Sequence, residues 1–102
     1  MELDKIKNLP ESYKSNLSRA VKILKQGGCK EIYVFGSIFR DKVKDDESDI
    51  DLAVKGCPKG KFFHLLGRLI LELDYPVDLV NLDTNDPFAN YLKKEKELIK
   101  IG

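Results

Sequence analysis

The segment D-I-D-L-A-V, Asp49 to Val54, restricts the fold of this chain more than any other stretch, because acids alternate with apolar residues at a period of two. In a β-strand such residues point to opposite faces, so Asp49 and Asp51 project together, about 6.6–6.8 Å apart, while Ile50, Leu52 and Val54 point the other way. A helix would splay the two acids. The segment closes an acidic run, six acids in the eleven positions from Asp41 to Asp51. A solvated loop accounts for Asp45, Asp46 and Glu47 but not for the two acids inside the strand pattern.

The surrounding pattern supplies the rest of a small α/β unit. From Pro10 to Gln26 the apolar residues Tyr13, Leu17, Ala20, Val21 and Leu24 form one helical stripe, closed by Gly27-Gly28. Glu31 to Phe35 reads as a strand ending at Gly36-Ser37, and Asp49 to Val54 as a second. After Pro58 and Gly60, the residues Phe62, Leu66, Leu69, Ile70 and Leu73 repeat the helical stripe. Val77 to Leu82 is a third strand. Asp86-Pro87 is an N-cap followed by proline at the first helical position, opening a short helix to about Lys94, and the tail KEKELIKIG fits either more helix or a short strand.

The chain's 102 residues suffice for a single domain, 1–102, with one core. Lys plus Arg number 18 against 17 Asp plus Glu, and this balance gives no field to capture nucleic acid. No apolar run approaches the roughly 20 residues of a membrane span, and MELDKIKNL lacks the apolar stretch of a secretory signal, so a soluble cytoplasmic protein is expected. Cys29 and Cys57 lack CxxC spacing and His64 is the single histidine, so two free, reduced thiols and no zinc site are expected. His64, between apolar helix positions, reads as a boundary or exposed side chain. Phe62 and Phe63 read as core and edge packing, and Lys55 and the basic tail Lys93, Lys94, Lys96 and Lys100 as surface cations.

In the third strand Asp78 stands between Val77 and Leu79. If the second and third strands are neighbours in register, Asp78 joins Asp49 and Asp51 on the face away from the helices. Carboxylates about 5 Å apart repel by about 3 kcal/mol per pair at an effective dielectric near 20. Such a cluster calls for a bound cation or a protonated acid. Oxygen ligands without His or Cys suit Mg²⁺ or Mn²⁺, and metals held this way serve in-line phosphoryl displacement. An EF-hand is excluded, since neither Asp45 nor Glu47 as first position places Gly and Glu where that loop needs them. At the end of the first strand, Gly36 permits close approach of a ligand and Ser37 offers a hydroxyl and an N–H, a nest for nucleotide phosphates. Arg40, three residues on, is expected to pair with a phosphate oxygen or the leaving pyrophosphate.

In this order, strand, Gly36-Ser37, Arg40, acidic loop, Asp49-x-Asp51, helix, strand with central Asp78, the sequence resembles the minimal nucleotidyltransferases of the DNA polymerase β superfamily, whose signature is a GS pair followed at a short interval by DxD. The resemblance runs from the first helix through VDLV. It implies a small mixed β-sheet of the palm-like nucleotidyltransferase fold, α/β or α+β in class, with helices on one face. It assigns Gly36, Ser37 and Arg40 to nucleotide phosphates, and Asp49, Asp51 and Asp78 to catalysis and to Mg²⁺ or Mn²⁺. It also implies transfer of AMP from ATP to a hydroxyl acceptor, with Asp78 helping to deprotonate that hydroxyl. Short members commonly pair, as antitoxins, with a helical HEPN-domain toxin, and some modify a tyrosine of that partner. Two features depart from the pattern. The loop Ile38 to Ser48 is slightly longer than usual, and Asp41 stands where glycine often follows the arginine. They keep a second reading open, a nucleotide-binding antitoxin module that neutralises its partner by contact without turnover.

Overall fold

A computed structural model of the chain describes residues 9–36, 49–95 and 98–102. Its order is α1 (Glu11–Gln26), β1 (Glu31–Phe35), β2 (Ile50–Lys55), α2 (Phe62–Glu72), β3 (Val77–Asn81), α3 (Pro87–Glu95) and β4 (Ile99–Lys100). The strands form one mixed sheet in the order β3-β2-β1-β4. β1 runs antiparallel to both β2 and β4, and β2 runs parallel to β3, with α2 as the crossover between them. The α/β class with a small mixed sheet is therefore as expected. The tail is both of its alternatives, helix to Glu95 and then a short edge strand.

The period-two pattern of the strands sorts the side chains into two layers. Ile32, Val34, Ile50, Leu52, Val54 and Ile99 face α1 and α2 and build the main core with Tyr13, Leu17, Ala20, Ile23 and Leu24. On the other face Phe35 and Ala53 pack with Leu82, Ala89 and Leu92 in a second, smaller cluster. The two long helices share one face. The short α3 lies on part of the other, which narrows the expected open face to the end that carries the acids.

Helix α2 meets the sheet through a stripe that keeps Leu69 and Leu73 of the one its spacing suggests, with Phe62 packed against the core, but that includes Leu65 and leaves out Ile70. Leu65, Leu69 and Leu73 are buried, whereas Ile70, assigned above to the core stripe, is 57% exposed. The helix is apolar on more than one side, with Phe63 and Leu71 also exposed, so spacing alone does not select the face that docks. His64 is exposed, as read from its position.

The expectation of two free thiols is overturned: Cys29 and Cys57 form a disulfide. The reason is register. Glu31 pairs with Lys55 at the end of the β1–β2 ladder, so each cysteine lies two residues beyond that pair, directly across from the other. No helix among the described residues is long and apolar enough to cross a membrane.

Candidate active site

Two parallel strands begin at the same end of the sheet, and the antiparallel strand beside them finishes there. This places the start of β2, the start of β3 and the end of β1 together. Asp51 lies opposite Asp78 in the β2–β3 register and opposite Phe35 in the β1–β2 register. Neighbouring strands are about 4.8 Å apart, so the two carboxylates leave adjacent backbones on the same face. Asp78 is exposed and Asp51 half-buried.

Gly36 explains its own identity. Its φ is 71°, a conformation that L residues with a Cβ rarely adopt, and a Cβ there would stand 2.2 Å from Asp51 Oδ2 and 2.9 Å from its Cγ. The chain thus turns out of β1 directly against the Asp51 carboxylate, and only glycine leaves that carboxylate its place. Ser37 and Arg40, expected to continue the phosphate nest, lie outside the described residues.

Asp49 immediately precedes β2 and shares the strand phase of Asp51. Its side chain is exposed, while its backbone carbonyl accepts a 2.9 Å hydrogen bond from the Tyr13 hydroxyl of α1. Tyr13 is fully buried and packs edge-on against Tyr75, with ring centroids 5.2 Å apart. Burial, and then the negative charge of Asp51, hold its phenol well above the ordinary range, so it remains a donor. Around it α1 grips the segment that enters β3. Ser12 Oγ and the Tyr75 hydroxyl are 2.6 Å apart, and the buried Asn16 accepts from the Asp74 N–H at 2.7 Å. A backbone bond from Ile50 N–H to the Pro76 carbonyl, 2.8 Å, ties the two strand starts to each other.

Above these acids opens a cleft of about 280 Å³, lined by Phe35, Gly36, Asp51, Asp78, Phe88, Tyr91 and Leu92. The aromatic wall comes from α3, whose start is capped by Asp86: its Oδ2 accepts from the N–H groups of Phe88 at 3.0 Å and Ala89 at 3.3 Å. Phe88 and Tyr91 were not singled out from the sequence. The available signal was an aromatic pair three apart, one position ahead of the core pair Ala89 and Leu92.

Among the described residues the donor chemistry at the cleft, two carboxylates and no nitrogen or sulfur ligand, fits a hard divalent cation of the Mg²⁺ class. Among the described residues no group of three His, Cys, Asp or Glu side chains is gathered closely enough to hold a metal ion. The structure therefore brings Asp51 and Asp78 together and sets Asp49 at the strand's entrance in the same phase.

Comparison with known proteins gave one family match, to the polymerase beta nucleotidyltransferase domain, over residues 18–101. No curated protein and no solved structure matched. That match takes in both acid-bearing strands, the glycine that ends β1 and the aromatic helix above them, and with most of its length covered the chain belongs to the polymerase beta nucleotidyltransferase family.

Proposed function

We propose that this chain transfers a nucleoside monophosphate, AMP from ATP, to a hydroxyl in a reaction dependent on Mg²⁺ or Mn²⁺. The observation that carries the reading is the register of Asp51 against Asp78 on parallel neighbours, with Gly36 pressed against the first of them. Asp51 and Asp78, with Asp49 at the strand entrance, would hold the cation; bound there, it would offset charge on the reacting phosphate and the departing pyrophosphate.

The remaining chemistry falls to the chain's own groups. The turn at Gly36, with Ser37 and Arg40 following, would receive the phosphate oxygens. Asp78, exposed at the rim, would accept the proton of the acceptor hydroxyl as that oxygen attacks the α-phosphate and pyrophosphate leaves. Asp51, half-buried under the turn, is fixed by its neighbours and suited to orient rather than to move protons. The acceptor is proposed to arrive on another macromolecule, a tyrosine of a helical HEPN-type toxin, with this chain as its antitoxin.

The lengthened loop between Gly36-Ser37 and Asp49, with Asp41 where glycine often follows the arginine, favours, as the second reading, a module that neutralises the partner by contact alone. Incubating the chain with labelled ATP, Mg²⁺ and the protein encoded beside it separates the two. Label on the partner, lost with Asp49→Asn/Asp51→Asn, supports transfer. No label, with equal neutralisation by both forms, leaves the contact module standing.

A further inference from the structure

Phe88 and Tyr91 pack against other rings without being buried. Ala89 and Leu92 hold α3 to the sheet and are 0% and 2% exposed, whereas Phe88 and Tyr91, one position before each, are 48% and 51% exposed. Core packing does not require them to be aromatic. They are nevertheless held in a fixed arrangement. Phe88 meets Phe35 edge to face, with centroids 5.9 Å apart, and lies within 12° of parallel to the Tyr91 ring. The helix beneath them is pinned at its start by Asp86 and further along by Lys93, whose Nζ donates to the Leu82 carbonyl at 3.0 Å.

The two rings share one cleft with Gly36, Asp51 and Asp78. A ligand that satisfies both walls needs a flat apolar part and, within the reach of one small molecule, an anionic part that arrives with a cation. A nucleoside triphosphate has this form. Resting on the nucleotidyl-transfer reading above, we propose that Phe88 and Tyr91 form the platform on which the base of the incoming nucleotide stacks. Rings recognise a base by its face, and every base has one. Among the described lining residues, the Tyr91 hydroxyl is the sole side-chain group besides the two acids able to hydrogen-bond a base edge. The platform therefore selects purines over pyrimidines by stacking area and does not separate adenine from guanine.

Calorimetric titration in Mg²⁺ buffer with ATP, GTP, CTP and inorganic tripolyphosphate tests this on the wild type, Tyr91→Phe and Phe88→Ala/Tyr91→Ala. The double variant is expected to lose about tenfold or more in ATP and GTP affinity and to keep its affinity for tripolyphosphate, with Tyr91→Phe, which keeps the ring face, losing clearly less. ATP and GTP should bind alike and more tightly than CTP. Unchanged nucleotide affinity in the double variant overturns the platform, and if the acceptor KM rises instead, the wall belongs to the acceptor. A parallel loss of tripolyphosphate affinity also overturns it, because the rings would then be shaping the acid end. If the wild type binds tripolyphosphate but gains nothing from a base, the platform fails and the transfer reading survives. If it binds no triphosphate at all, both fall.

Discussion

The Tyr13 hydroxyl donates a 2.9 Å hydrogen bond to the backbone carbonyl of Asp49, joining the buried face of α1 to the residue that opens the acid-bearing strand. The bond crosses 36 positions of sequence and holds by its main chain the one candidate site acid outside the ladder. Replacing Tyr13 by Phe removes the donor and leaves ring packing intact. A stability loss of about 1–2 kcal/mol is expected in urea unfolding.

The same tyrosine predicts an alkaline limit. Its folded pKa is raised by burial above the unfolded value near 10, so its contribution is intact below that value and falls as pH rises past it, where the unfolded chain ionises first. Wild type should lose stability more steeply than Tyr13→Phe above about pH 10 in parallel denaturant melts. Identical slopes would contradict this.

Removing a charge from the acid pair should separate chemistry from folding. Asp78→Asn keeps the shape of an exposed side chain and relieves repulsion toward Asp51 across the strand gap. Nucleotidyl transfer is expected to fall about a hundredfold or more, with the melting temperature unchanged or raised.

Gly36 and Asp51 should be energetically coupled. Gly36→Ala strains a positive φ and drives a methyl into the Asp51 carboxylate, for an expected cost of about 1–3 kcal/mol. In an Asp51→Ala background the clash is gone and only the backbone strain remains. A double-mutant cycle in denaturant should show the cost of Gly36→Ala shrinking measurably.

Much of this architecture was legible because strands encode their faces at a period of two. The β1 bounds were read without error, β2 and β3 to within one residue, and the side-by-side placement of Asp51 and Asp78 followed from phase once the strands were taken as neighbours. Helix α2 was harder, since several of its sides are apolar and only tertiary docking distinguishes Leu65 from Ile70. The cysteine pair was missed because its partners meet only through the cross-strand register, and CxxC spacing carries no trace of that. Phe88 and Tyr91 were passed over because an aromatic pair on a short helix looks like core until the sheet beneath is seen to use Ala89 and Leu92 instead. Ser37 and Arg40 lie outside the described residues, so of the three residues expected at the phosphates only Gly36 is placed, at the cleft.

The disulfide should be worth a measurable share of stability. Cysteines 28 positions apart close a loop whose cross-linking is worth about 3–4 kcal/mol in the chain-entropy treatment. Adding reductant, or making Cys29→Ser/Cys57→Ser, should lower the denaturant midpoint accordingly and raise the m-value, because the unfolded chain freed of the cross-link exposes more surface.

That bond sits at the far end of the same two strands whose other ends bring Phe35 and Gly36 to Asp51. A slip of one residue between β1 and β2 would still satisfy most ladder hydrogen bonds, but it would mismatch every facing pair. Asp51 would then lose the glycine that makes room for it. A covalent link at one end forbids the slip outright. The cysteines thus act as an index mark for the hairpin: a pair remote from the chemistry that keeps the count of residues correct where a count wrong by one would abolish it.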